Sequence, residues 1–254
     1  MGSFLKKIYN SFLLKGDQII CNSNFTKQYI LKNFDIDDNN IKSIPRGTDL
    51  KYFDPSIFVQ KSIIRKKKAI NITAEDVVLT IPSRFSRWKG HYELISFLNF
   101  LPEQLLNSLK LILIVDNYHF DKHKILKKCS KILKENIRFI KPTNNIREIY
   151  AISDIIVSCS SKPEGFGRTI SESLAMNKIP IGINNGGVRE QLIGFDSKLL
   201  FEPNDIDSFS KSLYYALSLL KNKKFDGRSY IQKNYSLSTM LKSTLEVYLS
   251  YENR

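Results

Sequence analysis

Cysteine is scarce in this 254-residue chain: Cys21, Cys129 and Cys159 are the only three, each inside an apolar stretch. An odd number with no C-x-x-C pair argues against a disulfide framework or a zinc site and predicts a reducing, cytoplasmic setting. Apolar runs are short. None reaches the length that spans a bilayer, and the one near the start is too short and too poorly flanked for a signal peptide. Lys6 stands where a myristoylation sequence needs Ser or Thr. Internal repeats and low-complexity tracts are absent. Negative charge is under-represented: 39 Lys and Arg face 25 Asp and Glu, a formal net charge of +14. That surplus suits polyanionic partners, an anionic membrane surface or phosphorylated substrates, and it also suits a merely Lys-rich solvated surface. Basic and aromatic residues are not interleaved as on a nucleic-acid platform, so nucleic acid is not an expected partner.

The chain is 42% hydrophobic, enough to bury one large core or two small ones. Residues 4–15 put Phe4, Leu5, Ile8, Phe12 and Leu13 on one helical face, with Lys6, Lys7 and Lys15 away from it. The pattern fits a core helix, or a helix resting on the anionic inner face of a membrane. Residues 17–23 read as a strand that leads into a helix over 25–33, capped by Ser23 or Asn24. Residues 41–45 read as another short strand. Pro45, Gly47 and Pro55 then break the chain, and the basic run 65–68 reads as an exposed linker. From Val77 onward strands alternate with helices: strands at 77–81, 109–115, 137–140, 155–159, 179–183 and 199–201, and helices at 91–100, 120–135, 146–152, 168–177, 206–220 and 237–251. The run at 109–115 is apolar throughout, as in a strand buried on both faces. The alternation predicts an α/β fold, a Rossmann-like doubly wound parallel sheet.

Residues 154–190, DIIVSCSSKPEGFGRTISESLAMNKIPIGINNGGVRE, hold the most chemistry. They read as strand, glycine turn, helix, strand, glycine turn, helix. Such turns bring backbone N–H groups and a helix N-terminus to the carboxyl edge of a parallel sheet, where phosphates bind. Gly165 and Gly167 permit close approach, and Arg168 adds a positive charge. Two carboxylates, Glu164 and Glu172, flank this cradle and suit hydrogen bonds from sugar hydroxyls. Arg84 and Lys89 follow the strand at 77–81, which puts two cations at the same edge, able to neutralise a diphosphate leaving group. His119 and His123 have helical metal-ligand spacing but no third ligand, and His91 opens a helix. Arg87 and Trp88 receive no role.

The segment Glu164-Gly-Phe-Gly-Arg-Thr-Ile-Ser-Glu172 resembles the E-x7-E motif of retaining glycosyltransferases with the GT-B fold, in glycosyltransferase family four, which includes many lipopolysaccharide and capsule enzymes. The flanking PEGFGR and NNGGVRE resemble that family too, and the likeness runs from about Asp17 to Tyr251. It implies that Glu172 holds the nucleotide ribose hydroxyls and Glu164 the donor sugar. It implies that Arg84 and the Lys of Lys89-Gly90 serve the diphosphate, while Gly165, Phe166, Gly167, Arg168, Thr169, Gly186 and Gly187 line the donor cleft. Pro142 and Thr143 fall where the base rests. A nucleotide-sugar is then a substrate, and neither cofactor nor metal is expected.

The sequence departs from the family in one large way. A GT-B enzyme faces two Rossmann-like domains across the active site. Here the expected organisation is a remnant of the acceptor-side domain over 1–45, a hinge over 46–68, and a donor-binding domain over 69–254 whose last helix crosses back. After Val115 the family often has Gly-x-Gly, and this chain has Asp116-Asn-Tyr. Three readings stay open: a donor-binding half that works with a separately encoded N-terminal half, an inactive remnant that still binds nucleotide, and a non-catalytic scaffold. The uncovered last helix also invites self-association.

Overall fold

In the computed structural model the described residues are 11–116, 118–222 and 225–252. Residues 4–10 of the amphipathic N-terminal face lie outside them, as does the side chain of His119. Two parallel sheets form. In the small one, β1 (Ile19–Cys21) pairs with β2 (Ile41–Ser43), with Ile19 opposite Ile41. Helix α1 (Asn24–Asn33) connects them, and the Ser23 side chain caps it by accepting from the Thr26 N–H.

The large sheet comprises β3 (Val77–Arg84), β4 (Leu109–Ile114), β5 (Ile137–Ile140), β6 (Ile155–Ser158), β7 (Ile179–Ile183) and β8 (Leu200–Phe201). Its order is β5-β4-β3-β6-β7-β8, and every pairing is parallel. The expected doubly wound sheet is therefore what forms. The crossovers are α3 (His91–Asn99) with α4 (Glu103–Ser108), α5 (Tyr118–Leu126) with α6 (Lys131–Asn136), α7 (Ile146–Ile152), α8 (Arg168–Ala175) and α9 (Gly186–Phe195). After β8 come α10 (Ile206–Asn222), α11 (Gly227–Asn234) and α12 (Leu237–Glu252). Strand residues alternate between the two faces. Leu79, Ile81, Leu111 and Leu113 join the main core, where Phe97 stacks on Phe209 with ring centroids 5.0 Å apart. Val78 and Ile112 face the other way, against Ile149 and Ile152 of α7 and Ile72. Cover on both faces is what the apolar strands require.

Two expectations fail here. The basic run 65–68 is not an exposed linker; it is the second half of α2 (Gln60–Ala69). Ile63 packs on both cores, and the lysines beside it find carboxylates: Lys66 meets Glu148 at 2.5 Å and Lys67 meets Asp154 at 3.3 Å. The single helix expected over 120–135 is two, α5 and α6. Ser130 starts the second, its side chain accepting from the Leu133 N–H while its own N–H donates to Asn99 Oδ1 at 2.9 Å. The break keeps Ile125, Cys129 and Leu133 buried.

Residues 46–54 lie across the C-terminal helices. The Thr48 N–H donates to the Tyr235 carbonyl at 2.8 Å, and the Leu237 N–H returns to the Thr48 carbonyl at 3.1 Å. Arg228 donates to the carbonyls of Leu50, Phe53 and Ala175, tying this segment to the end of α8. On α12, Leu237, Leu241, Leu245 and Tyr248 are all exposed, at 37%, 56%, 56% and 65%. Among the described residues no helix is long and apolar enough to cross a membrane.

Candidate functional site

The chain winds outward from β3 through β4 to β5, then returns to lay β6 on the other side of β3. Connections therefore diverge at the carboxyl ends of β3 and β6, the place where open α/β sheets bind ligands. Two loops meet there. The first follows β3 and ends at Gly90, which has φ +81° and starts α3. A Cβ on Gly90 would stand 1.9 Å from the Cys159 carbonyl oxygen, so this turn lies directly on the end of β6. The second loop, 159–167, ends at Gly167, also at φ +81°, and starts α8. Between them opens a cleft of about 510 Å³, lined by Pro82, Ser83, Trp88, Lys89, residues 163–169 and Glu172, with Asn22 and Arg46 on the far wall.

The cleft's charges are arranged in pairs. Lys89 Nζ sits 2.8 Å from Glu164 Oε1, which also accepts from the buried Ser160 hydroxyl. The same ammonium lies 4.2 Å from the centre of the Trp88 ring. Deeper in, Glu172 Oε2 accepts from the Tyr150 hydroxyl at 2.8 Å. Burial raises the Glu172 carboxyl above its ordinary value, and Glu164 adds to this. The Tyr150 hydrogen bond, Arg168 and Arg46 pull the other way. Arg168 is exposed at the N-terminus of α8, where backbone N–H groups have no helical partner. A cation, free amides and two carboxylates around one void can take a ligand bearing both phosphates and hydroxyls.

The structure brings Lys89, Glu164, Gly165, Phe166, Gly167, Arg168, Thr169 and Glu172 onto this wall. It leaves others off it. Arg84 is exposed and does not line the cleft, because β3 resumes after a bulge and pairs Arg84 with Ile114 of β4. Gly186 and Gly187, expected to line it, lie behind it instead. A Cβ on Gly186 would meet the Glu164 carbonyl at 2.6 Å, and one on Gly187 would meet Phe166 Cα at 2.5 Å. The Gly187 N–H donates to that Glu164 carbonyl at 2.8 Å, so the pair presses the first glycine turn forward. Pro142 and Thr143 are exposed beyond β5, at the same sheet edge but two strands from β3. His91 is buried against Phe85, beside the Ser83 backbone, with no well-formed hydrogen bond at either ring nitrogen; burial and Lys89 lower its pKa to about 4. His123 is exposed, and among the described residues no group of three or more His, Cys, Asp or Glu could hold a metal.

Several working residues were given no role by the sequence. Gln191 donates to the carbonyls of Phe166 and Gly167, fixing the turn from below. Glu190 accepts from the N–H groups of Asn24 and Phe25 at 3.1 and 3.0 Å, capping α1. The Ser23 hydroxyl donates to the Gly165 carbonyl. The N-terminal segment is thereby fastened to the turn that carries Glu164. Tyr150 could have been suspected as a lone phenol in an apolar helix over a buried sheet.

The raised Glu172 carboxyl has a consequence for stability. The folded chain holds a proton there that the unfolded chain has released, so stability falls as pH rises from the ordinary carboxylate range through the raised value. E172Q removes this loss. Its stability advantage is expected to be absent near pH 4 and to grow as pH rises toward neutral, read as the difference in Tm between the two proteins. An advantage independent of pH would count against it.

The fold and cleft define a doubly wound α/β protein with a site suited to phosphorylated ligands. Family comparison is consistent with that class: the model of glycosyl transferases group 1 matches residues 62–232, more than half of the chain. The chain belongs to that family. A glycosyltransferase from Rickettsia africae superposes with a TM-score of 0.81 at 31% identity, over 96% of this chain and 65% of that one. Anabaena Alr3699/HepE, solved with UDP and glucose, shares the fold at a TM-score of 0.77 and 19% identity, over 92% of this chain and 64% of that one. The Escherichia coli UDP-Gal:alpha-D-GlcNAc-diphosphoundecaprenol alpha-1,3-galactosyltransferase is 27% identical over 77% of this chain and 50% of its own length. This chain thus spans between half and two thirds of each of these relatives.

Proposed function

We propose that the chain supplies the donor-binding half of a retaining GT-B glycosyltransferase of the E-x7-E type. It takes a nucleoside-diphosphate sugar as substrate, without cofactor or metal, and serves transfer to a cell-envelope glycan, as in lipopolysaccharide biosynthesis, or to a lipid-linked acceptor. The observation that carries this reading is the single cleft at the switch point, where Lys89, the free amides before α8, Glu164 and Glu172 converge. Lys89 suits the diphosphate, whose charge grows as the glycosidic bond breaks. Glu164 suits the sugar hydroxyls and Glu172 the ribose. Two relatives support the chemistry: HepE was solved with UDP and glucose, and the E. coli enzyme is named for a UDP-sugar and a diphosphoundecaprenol acceptor.

In this reading residues 1–45 belong to the acceptor side, 46–68 join the halves and 69–254 hold the donor. The exposed stripe of α12 meets the acceptor-side domain, or a second copy of the chain where that domain is missing. The net charge of +14 suits a place on the anionic inner face of the cytoplasmic membrane. The same stripe also fits a non-catalytic nucleotide-binding subunit that scaffolds a partner.

Glu172→Ala tests the donor assignment. Losing a charge-assisted hydrogen bond to the ribose is expected to weaken nucleoside-diphosphate binding by roughly 1.5–3 kcal/mol, measured by calorimetry. Unchanged affinity would remove Glu172 from the site.

A further inference from the structure

Tyr150 is fully buried on α7, its ring edge-on to Phe53 with centroids 6.0 Å apart. A buried phenol needs a hydrogen-bond partner. The described residues give it one, the Glu172 carboxylate, at 2.8 Å on Oε2. The other oxygen, Oε1, makes no hydrogen bond among the described residues, and Glu172 lines the cleft. We infer that Tyr150 is a positioning residue: its hydroxyl pins one oxygen of Glu172 so that the other is presented to vicinal hydroxyls of the ligand. The inference rests on the nucleotide-sugar reading of the cleft and deepens it.

The chemistry is specific to an ionised acceptor. A phenol at this place donates, so it favours the carboxylate over the carboxylic acid. Arg168 and Arg46 act in the same direction, while burial and Glu164 oppose. Without the hydroxyl the carboxylate turns freely, and its proton is held to higher pH. A ligand diol then meets an acceptor that is less fixed and, in mildly acidic solution, less often ionised. Packing alone would give none of this, because the Phe53 contact involves only the ring.

The test uses the 254-residue chain, the tightest binder among UDP, GDP and ADP, and that nucleotide's 2′,3′-dideoxy form. Y150F removes one oxygen from a side chain that is otherwise core. It is expected to weaken the parent nucleotide roughly 5-fold, about the effect of one ordinary hydrogen bond, and to leave the dideoxy form unchanged. The pH at which affinity for the parent nucleotide falls away is expected to move upward. In the E172A background, which removes the acceptor, Y150F is expected to change neither affinity. Equal weakening of both nucleotides, or the same weakening with Ala at 172, would make Tyr150 a packing residue and overturn the inference. Unchanged affinity in Y150F would overturn it as well. If the folded wild-type chain binds none of the three nucleotides, the cleft reading fails and the inference with it. Should Y150F not fold, the wild type supplies the readout. The 13C resonance of the Tyr150 Cζ is expected to shift as Glu172 titrates and to stay still in E172Q, and a pH-independent resonance would overturn the inference.

Discussion

Gly90→Ala is expected to destabilise the chain by more than about 4 kcal/mol, a loss reserved for backbone clashes and broken cores. Gly90 sits at φ +81°, where a side chain is strained whatever the space. The space is also missing: the new Cβ would lie 1.9 Å from the Cys159 carbonyl oxygen and 2.5 Å from its carbon. Both atoms are backbone at the end of β6, so neither yields cheaply. The contact separates Lys89 from Glu164 by one residue on one side and a short loop on the other, and relief of the clash would move their 2.8 Å ion pair apart. Denaturant unfolding measures the loss. A cost under about 1 kcal/mol would mean that the two loops are not held together as described.

The second large effect concerns transfer. The 254-residue chain on its own is expected to bind donor and to give no detectable transfer to lipid-linked acceptors. Holding donor and acceptor in register supplies roughly 7–11 kcal/mol of a barrier, and the described cleft grips from the donor side. Its far wall is thin: Asn22, from the loop after β1, and the exposed Arg46. The strands behind that wall form a two-stranded parallel sheet, too small to stand alone and of a kind ordinarily covered on both faces. Ile20 of β1 and the stripe of α12 are left exposed beside it. The check is to purify the chain, establish that it is folded and donor-bound, and offer nucleotide-sugars with lipid-linked acceptors. Turnover near ordinary enzyme rates, roughly 1 s⁻¹ or more, would contradict the half-enzyme reading.

The sheet was legible because its signal is local. An apolar run such as 109–115 between helical periods admits few other readings, and β4 occupies Leu109–Ile114 of it. Glu164 and Glu172 were legible as a pair because spacing and glycines are written in one segment. What escaped depends on contacts between distant residues. Lysines 66 and 67 read as solvated linker until Glu148 and Asp154 are brought beside them. The break between α5 and α6 depends on Asn99, some thirty positions away. Gly186 and Gly187 read as lining until the backbone of Glu164 and Phe166 is found pressed on them. Arg84 read as converging with Lys89, and a bulge that no spacing reveals turned it along β4. Tyr150, Gln191 and Glu190 act on residues 22 to 166 positions distant, so the partner that defines each role is not visible beside them in the sequence.

The most direct test of the central claim is a structure of the chain soaked with a nucleoside diphosphate. The diphosphate is expected between Lys89 and the amides of the turn from Gly165 to Arg168, with the ribose hydroxyls on Glu172. A nucleotide bound elsewhere, or turned so that its ribose faces away from Glu172, would contradict the account.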